Sequence, residues 1–214
     1  MHAPWTCFSR RAVALAALVL VLPGCAPLLV GGAVVGTGMV VTDRRTAGTQ
    51  VEDESIELKA ASRVRDLATL GHVEVTSYNR TVLVVGEVPG EPEKVAVGKA
   101  VAGVENVRTV VNELAVLPGA SLGTRTNDRF LEARVKAVLI DAKDVQASAY
   151  KVVVERGIVY LMGRVTEREA TRGADLARTV PGVQKVVRVF EMLTEAELAA
   201  LSTAPPASAA SAPK

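Results

Sequence analysis

Val82-Leu83-Val84-Val85-Gly86 and Val159-Tyr160-Leu161-Met162-Gly163 are apolar, β-branched runs closed by glycine, and each follows a matching partner strand. Val75-Thr76-Ser77-Tyr78 leads into the first and Val152-Val153-Val154-Glu155 into the second, so the chain contains an internal repeat. The dipeptides between the partners, Asn79-Arg80 and Arg156-Gly157, suit tight hairpins. Upstream of each hairpin, apolar residues recur at helical spacing: Ile56, Ala60 and Val64 in the first copy, Leu131, Val135, Val138 and Leu139 in the second. A second helix follows. In the first copy Pro92 starts it, Val97, Ala100 and Val101 form its inner face, and Gly103 ends it. In the second, Thr166 and Glu169 form a capping box ahead of Ala170, Ala174 and Ala177, and Pro181-Gly182 stops the helix. Third strands are predicted over Val107 to Leu114 and Val183 to Phe190.

The predicted class is therefore α+β, with two tandem α-β-β-α-β modules at 53–117 and 127–193 joined by a linker at 118–126. Each module carries a three-stranded mixed sheet covered by helices on one face, the face expected to need a large apolar cover. Units of this size sit near the lower limit for a self-sufficient core. The copies are expected to lean on each other or on flanking segments, the loop Pro118 to Thr126 above all, instead of swinging freely.

The ends carry different signals. Arg10 and Arg11 precede the apolar run Ala12 to Leu22, which is short for a membrane span and reads as a secretion signal over residues 1–24. Leu22-Pro23-Gly24-Cys25 places a small residue before a cysteine, the arrangement that a lipoprotein signal peptidase needs before Cys25 is acylated, although Pro23 is an unusual occupant. The competing readings are an ordinary cleaved signal, or an inner-membrane anchor running on to Val41. Pro27, Gly31, Gly32, Gly36 and Gly38 break that longer stretch. Ser9-Arg10-Arg11 partly matches a twin-arginine signal, but Ala12-Val13-Ala14 fits it poorly and general secretion is preferred. Residues 25–52 read as a Gly/Val-rich stalk in which Arg44-Arg45 is solvated. Residues 194–214 read as a short helix capped by Thr194 and Glu197, followed by a disordered Ala/Pro/Ser tail.

Composition narrows the chemistry. With three phenylalanines, three tyrosines and one tryptophan, the cores must be built from Val, Leu, Ile and Ala. Cys7 falls in the signal and Cys25 is taken by lipid, so no disulfide is expected. The formal charge of +2 conceals an asymmetry: 53–117 has seven basic against ten acidic residues, whereas 125–193 has thirteen against nine. The second copy is the one expected to attract anions. Beyond the signal the one histidine is His72, placed at a helix-to-strand junction as a surface or cap residue. Neither a metal site nor a nucleophile-base pair can be assembled from the sequence. Glu167 and Glu169 are explained by a helix first turn, and Gly31 to Gly38 lacks the lysine of a phosphate loop. No catalytic residue, metal, small-molecule substrate or nucleic acid is expected, and the only bound group foreseen is covalent diacylglycerol and acyl lipid on Cys25.

Gly86 with Gly103-Val104, and Gly163 with Gly182-Val183, make the chain resemble the BON-domain family, in particular its dual-domain outer-membrane lipoproteins. The most specific stretches are Asp43-Arg44-Arg45-Thr46-Ala47-Gly48-Thr49-Gln50-Val51 and Leu161-Met162-Gly163-Arg164-Val165-Thr166-Glu167-Arg168-Glu169-Ala170. The resemblance runs from Cys25 to about Leu193. It implies a non-enzymatic protein, lipid-anchored at the periplasmic face of the outer membrane, where Ala26 after the lipidated cysteine also directs it. It further implies binding of anionic phospholipid through the second module, support of envelope integrity, and concentration at division sites. The lipid contact would lie on that module's first helix at Phe130, where a member of the family carries tryptophan, with Arg129, Arg134 and Lys136 beside it. On the residues alone, Phe130 reads more readily as core and the basic residues as a solvated face. The alternative function is a protein-interaction module regulating outer-membrane assembly or peptidoglycan remodelling, docking envelope proteins on an exposed third-strand edge.

Overall fold

The computed structural model describes residues 43–67 and 71–203. The expected signal, Cys25, the stalk as far as residue 42 and the tail from residue 204 lie outside the described residues. The first module consists of α1 (Ala47–Arg65), β1 (His72–Tyr78), β2 (Thr81–Val88), α2 (Glu91–Ala102), β3 (Thr109–Asn112) and β4 (Ala115–Val116). The second consists of α3 (Leu122–Asp141), a 3-10 turn, β5 (Tyr150–Glu155), β6 (Ile158–Thr166), α4 (Glu167–Arg178) and β7 (Lys185–Leu193), with α5 (Glu195–Thr203) following. In both sheets the middle strand is antiparallel to its hairpin partner and parallel to the strand that returns after the second helix.

Local chemistry accounts for the punctuation. Asn79, Arg80, Arg156 and Gly157 have φ of 49°, 65°, 52° and 74°, the primed turn whose twist matches paired strands. Thr166 and Glu169 close a reciprocal capping box on α4, and the Thr194 hydroxyl accepts from the Glu197 N–H at 3.2 Å on α5. Helix α1 begins at Ala47, behind a Thr46 cap, and α3 at Leu122, behind a Ser121 cap. Each helix thus takes in the end of a segment expected to be irregular, the stalk in one case and the linker in the other. Both segments contain a Ser or Thr cap followed by helix-compatible residues, with no proline after it.

The third strand of the first copy is split. Asn112 Nδ2 donates to the Lys94 carbonyl at 2.9 Å, and the Leu114 N–H donates to Asn112 Oδ1 at 3.3 Å. The chain leaves the ladder there and drops Leu114, 1% exposed, into the core before β4 resumes pairing with β2.

Each sheet packs its helices on one face, as expected. Ile56, Val64, Val82, Val84, Val97 and Val101 fill the core of the first module, and Leu131, Val135, Leu139, Val159 and Leu161 that of the second. The other face is not left to solvent. Tyr78, Leu83 and Val85 of the first sheet meet Val153, Tyr160 and Met162 of the second in a separate apolar cluster. The two copies lean on each other sheet to sheet, and Pro118 to Thr126 contributes nothing to that cluster. The physical reason lies in β2 and β6: their residues are apolar at both alternating positions, so both faces must be buried. Polar pairs flank the seam. Lys151 Nζ reaches Glu57 at 2.7 Å, and Asn79 meets Glu191.

Candidate functional site

Helix α3 is held in one rotational setting by an aspartate. Asp128, 4% exposed, accepts the Arg156 N–H at 2.8 Å and the Gly157 N–H at 2.9 Å, so the helix is pinned to the hairpin turn of its own module. Asp53 does the same in the first module, accepting from the Asn79 and Arg80 N–H groups at 2.7 and 2.8 Å and from the Ser77 hydroxyl at 2.7 Å. This repeated aspartate was missed in the sequence. Its signal was its place one turn before the first buried helical position in each copy. With Asp128, Leu131, Val135 and Leu139 turned inward, the opposite face of α3 is presented to solvent.

That outer face is mostly apolar. Leu122, Thr126, Phe130, Ala133, Ala137 and Ile140 recur every three or four residues and are all exposed. Leu122 is 81%, Phe130 61% and Ile140 70% exposed, so Phe130 is not part of the core. Arg129, Arg134 and Lys136 are exposed beside the stripe, and the four residues named from sequence therefore share one helix surface. Lys136 is paired with Glu132 one turn earlier. The guanidinium groups of Arg129 and Arg134 have no ion-pair partner among the described residues. No helix among the described residues is long and apolar enough to cross a membrane.

Arg44 and Arg45 depart from the expected solvated stalk. Arg44, 7% exposed, donates from Nη1 and Nη2 to both oxygens of Glu169 at 2.7 Å, and Nη1 also reaches the Arg164 carbonyl at 2.7 Å. Arg164 Nη1 returns a bond to the Arg44 carbonyl at 3.0 Å. Arg45 turns the other way, with Nη1 donating to Asp53 at 2.8 Å and its guanidinium 4.2 Å above the Tyr78 ring. One arginine grips the second module and its neighbour grips the first, so the segment ahead of α1 straps the two together. The physical reason is that Glu169 is only 3% exposed, and a carboxylate buried that far needs a hydrogen-bonded counter-charge. Burial pushes Glu169 up, but the hydrogen bonds from Arg44 and from the Thr166 N–H outweigh it and hold the carboxyl below its usual range. Burial opposes ionisation of Asp53 as well, and the Ser77, Arg80, Arg45 and Asn79 donors reverse it.

The sequence shows no carboxylate cluster at ligand spacing, but the fold brings one imidazole and two carboxylates together. His72 is the first residue of β1, not a cap, and its ligand-type atom lies within 4.8 Å of those of Glu74 and Glu155. Residues more than 80 positions apart meet there because the sheets pack face to face. Burial, then the charges of Glu87, Asp128 and Glu74, push Glu155 up to about 7.

Comparison with known proteins covers most of the chain. Residues 52–118 and 127–194 each match the BON domain. Outer membrane lipoprotein DolP of Haemophilus influenzae is 38% identical over 187 residues, covering 86% of this chain and 96% of its own. A 21 kDa hemolysin of Actinobacillus pleuropneumoniae is 33% identical over 151 residues, 69% of this chain and 78% of its own. Among solved structures, CdsD, a structural protein of the type III secretion system of Chlamydia trachomatis, aligns over 71% of this chain and 99% of its own. Its TM-score of 0.28 and 10% identity are too low to bear on function.

Proposed function

This chain belongs to the BON-domain family, as a dual-domain outer-membrane lipoprotein, and we propose from that premise that its second module binds anionic phospholipid through the outer face of α3. The observation that carries the proposal is the 61% exposure of Phe130 in an apolar stripe with Arg129 and Arg134 beside it. Such a helix lies in the headgroup region, its ring at the acyl boundary and its cations among phosphates. Each basic side chain near an anionic surface contributes about 1 kcal/mol. Burial of the ring adds about 1.5–3 kcal/mol. The site alone is weak, and acylation of Cys25 supplies the lasting attachment. On this reading α3 selects a region of membrane, acts without catalysis, and in the cell supports envelope integrity and gathers at division sites.

Strand addition to the β7 edge, the docking mode of the alternative reading, is disfavoured by Lys185, Arg188 and Glu191 along that strand.

The test is binding of the unacylated mature chain, made with Cys25→Ser, to phosphatidylglycerol-containing and to zwitterionic vesicles. Binding is expected on the first alone, to weaken with added salt, and to fall roughly ten- to a hundredfold in Phe130→Ala. The proposal fails if Phe130→Ala binds anionic vesicles as well as the parent does.

A further inference from the structure

At one end of the seam the apolar contact between the sheets gives way to charge. His72 and Glu74 enter from β1, Glu87 from β2 and Glu155 from β5. Glu87 is fully buried: its Oε1 accepts from Arg156 Nη1 at 3.0 Å, while Oε2 has no hydrogen-bond partner among the described residues. Glu155 is 7% exposed, and its Oε1 likewise lacks a partner. Buried carboxylate oxygens without a donor are costly and rare, and two at one end of one interface call for a cation.

We propose that His72, Glu74 and Glu155 bind one divalent transition-metal cation of the Zn2+ type, which bridges the two modules. The geometry that supports it is the placement of one ligand atom from each residue within 4.8 Å of the others, across the seam. An imidazole nitrogen with two carboxylates is a donor set for zinc and its neighbours, whereas magnesium and calcium take oxygen ligands alone. Three protein ligands leave a fourth position for water. Glu87, directly opposite His72 in the β1–β2 ladder, supplies an outer-shell acceptor. The cation staples two small modules at the end of the seam marked by Glu155, and it is independent of the lipid contact on α3.

The experiment uses the full chain, purified without an affinity tag in detergent, stripped with chelator and titrated calorimetrically with ZnCl2. The expected result is one ion per chain, a higher melting temperature, and a visible Co2+ spectrum when cobalt replaces zinc. His72→Ala and Glu155→Gln are each expected to weaken binding by more than about tenfold. Glu74→Gln, at an exposed position that leaves the fold undisturbed, gives the same loss and keeps the test decisive if either of the other two variants is unstable. No saturable binding, or binding unchanged in Glu74→Gln and in the folded variants of the other two, overturns the proposal.

Discussion

Arg44→Ala is expected to lower the free energy of unfolding by about 3–5 kcal/mol, the cost of removing one partner from a buried ion pair. The side chains of Arg44 and Glu169 are 5% and 4% exposed, so the carboxylate left behind cannot be rehydrated without opening the strap. Glu169 would still accept the Thr166 N–H at 3.1 Å, and the helix cap should survive. The loss belongs to the charge and to the Arg164 carbonyl that Arg44 also holds. Denaturant unfolding measures it. A double-mutant cycle with Glu169→Gln should return a coupling of more than about 1 kcal/mol, whereas additive losses would show that the pair does not act together.

Acid should reproduce the effect. Glu169 and Asp53 are both held more acidic in the folded chain than their ordinary values of 4.5 and 3.8. The unfolded chain therefore binds protons first as pH drops. The contribution of each pair is complete above those ordinary values and is lost as pH falls through the lower folded ones. The denaturation midpoint should be steeply pH-dependent in that acid range, and the Glu169 share of the slope should vanish in Arg44→Ala. An unchanged slope would place the acid sensitivity elsewhere.

Gly163→Ala is the second large effect, with an expected loss of at least about 3 kcal/mol. Gly163 has φ of +156°, and a Cβ there would sit 2.1 Å from the Ala149 carbonyl oxygen. Gly86 repeats the situation, with φ of +115° and a Cβ 2.0 Å from the His72 oxygen. Backbone, not side chain, occupies the space, so no rotamer change relieves the clash, and the hairpin strands must separate there. The comparison is Gly48→Ala, inside α1, where the nearest atom is the Thr46 hydroxyl oxygen at 3.9 Å. That change should stabilise the chain by up to about 1 kcal/mol through helix propensity. Thermal melts of the three variants check the contrast, and equal losses at all three glycines would refute it.

The hairpins, the caps at Thr166 and Thr194 and the two glycines were legible because each is encoded within a few residues. A primed turn needs two residues tolerant of positive φ, and a capping box needs Thr and Glu three apart. Helix spacing needs only its own period. The repeat then doubled each signal, and Gly86 and Gly163 marked the same close approach of the partner strand twice.

The candidate lipid site was legible as a set of residues but not as a surface. Phe130 adjoins Leu131, and periodicity alone allows either to point inward. The Asp128 bonds to the hairpin turn settle the rotation and leave Phe130 outside.

What sequence alone determined, then, is what short-range steric and hydrogen-bonding rules write: two α-β-β-α-β units, their hairpin turns and the helix caps at Thr166 and Thr194. Tertiary structure decided what depends on surfaces meeting: the joining of the two sheets, the burial of Arg44 against Glu169, and the gathering of His72, Glu74 and Glu155. Those partners lie far apart along the chain, where no local conformational preference couples them, and they meet because both faces of β2 and β6 are too apolar to leave in water.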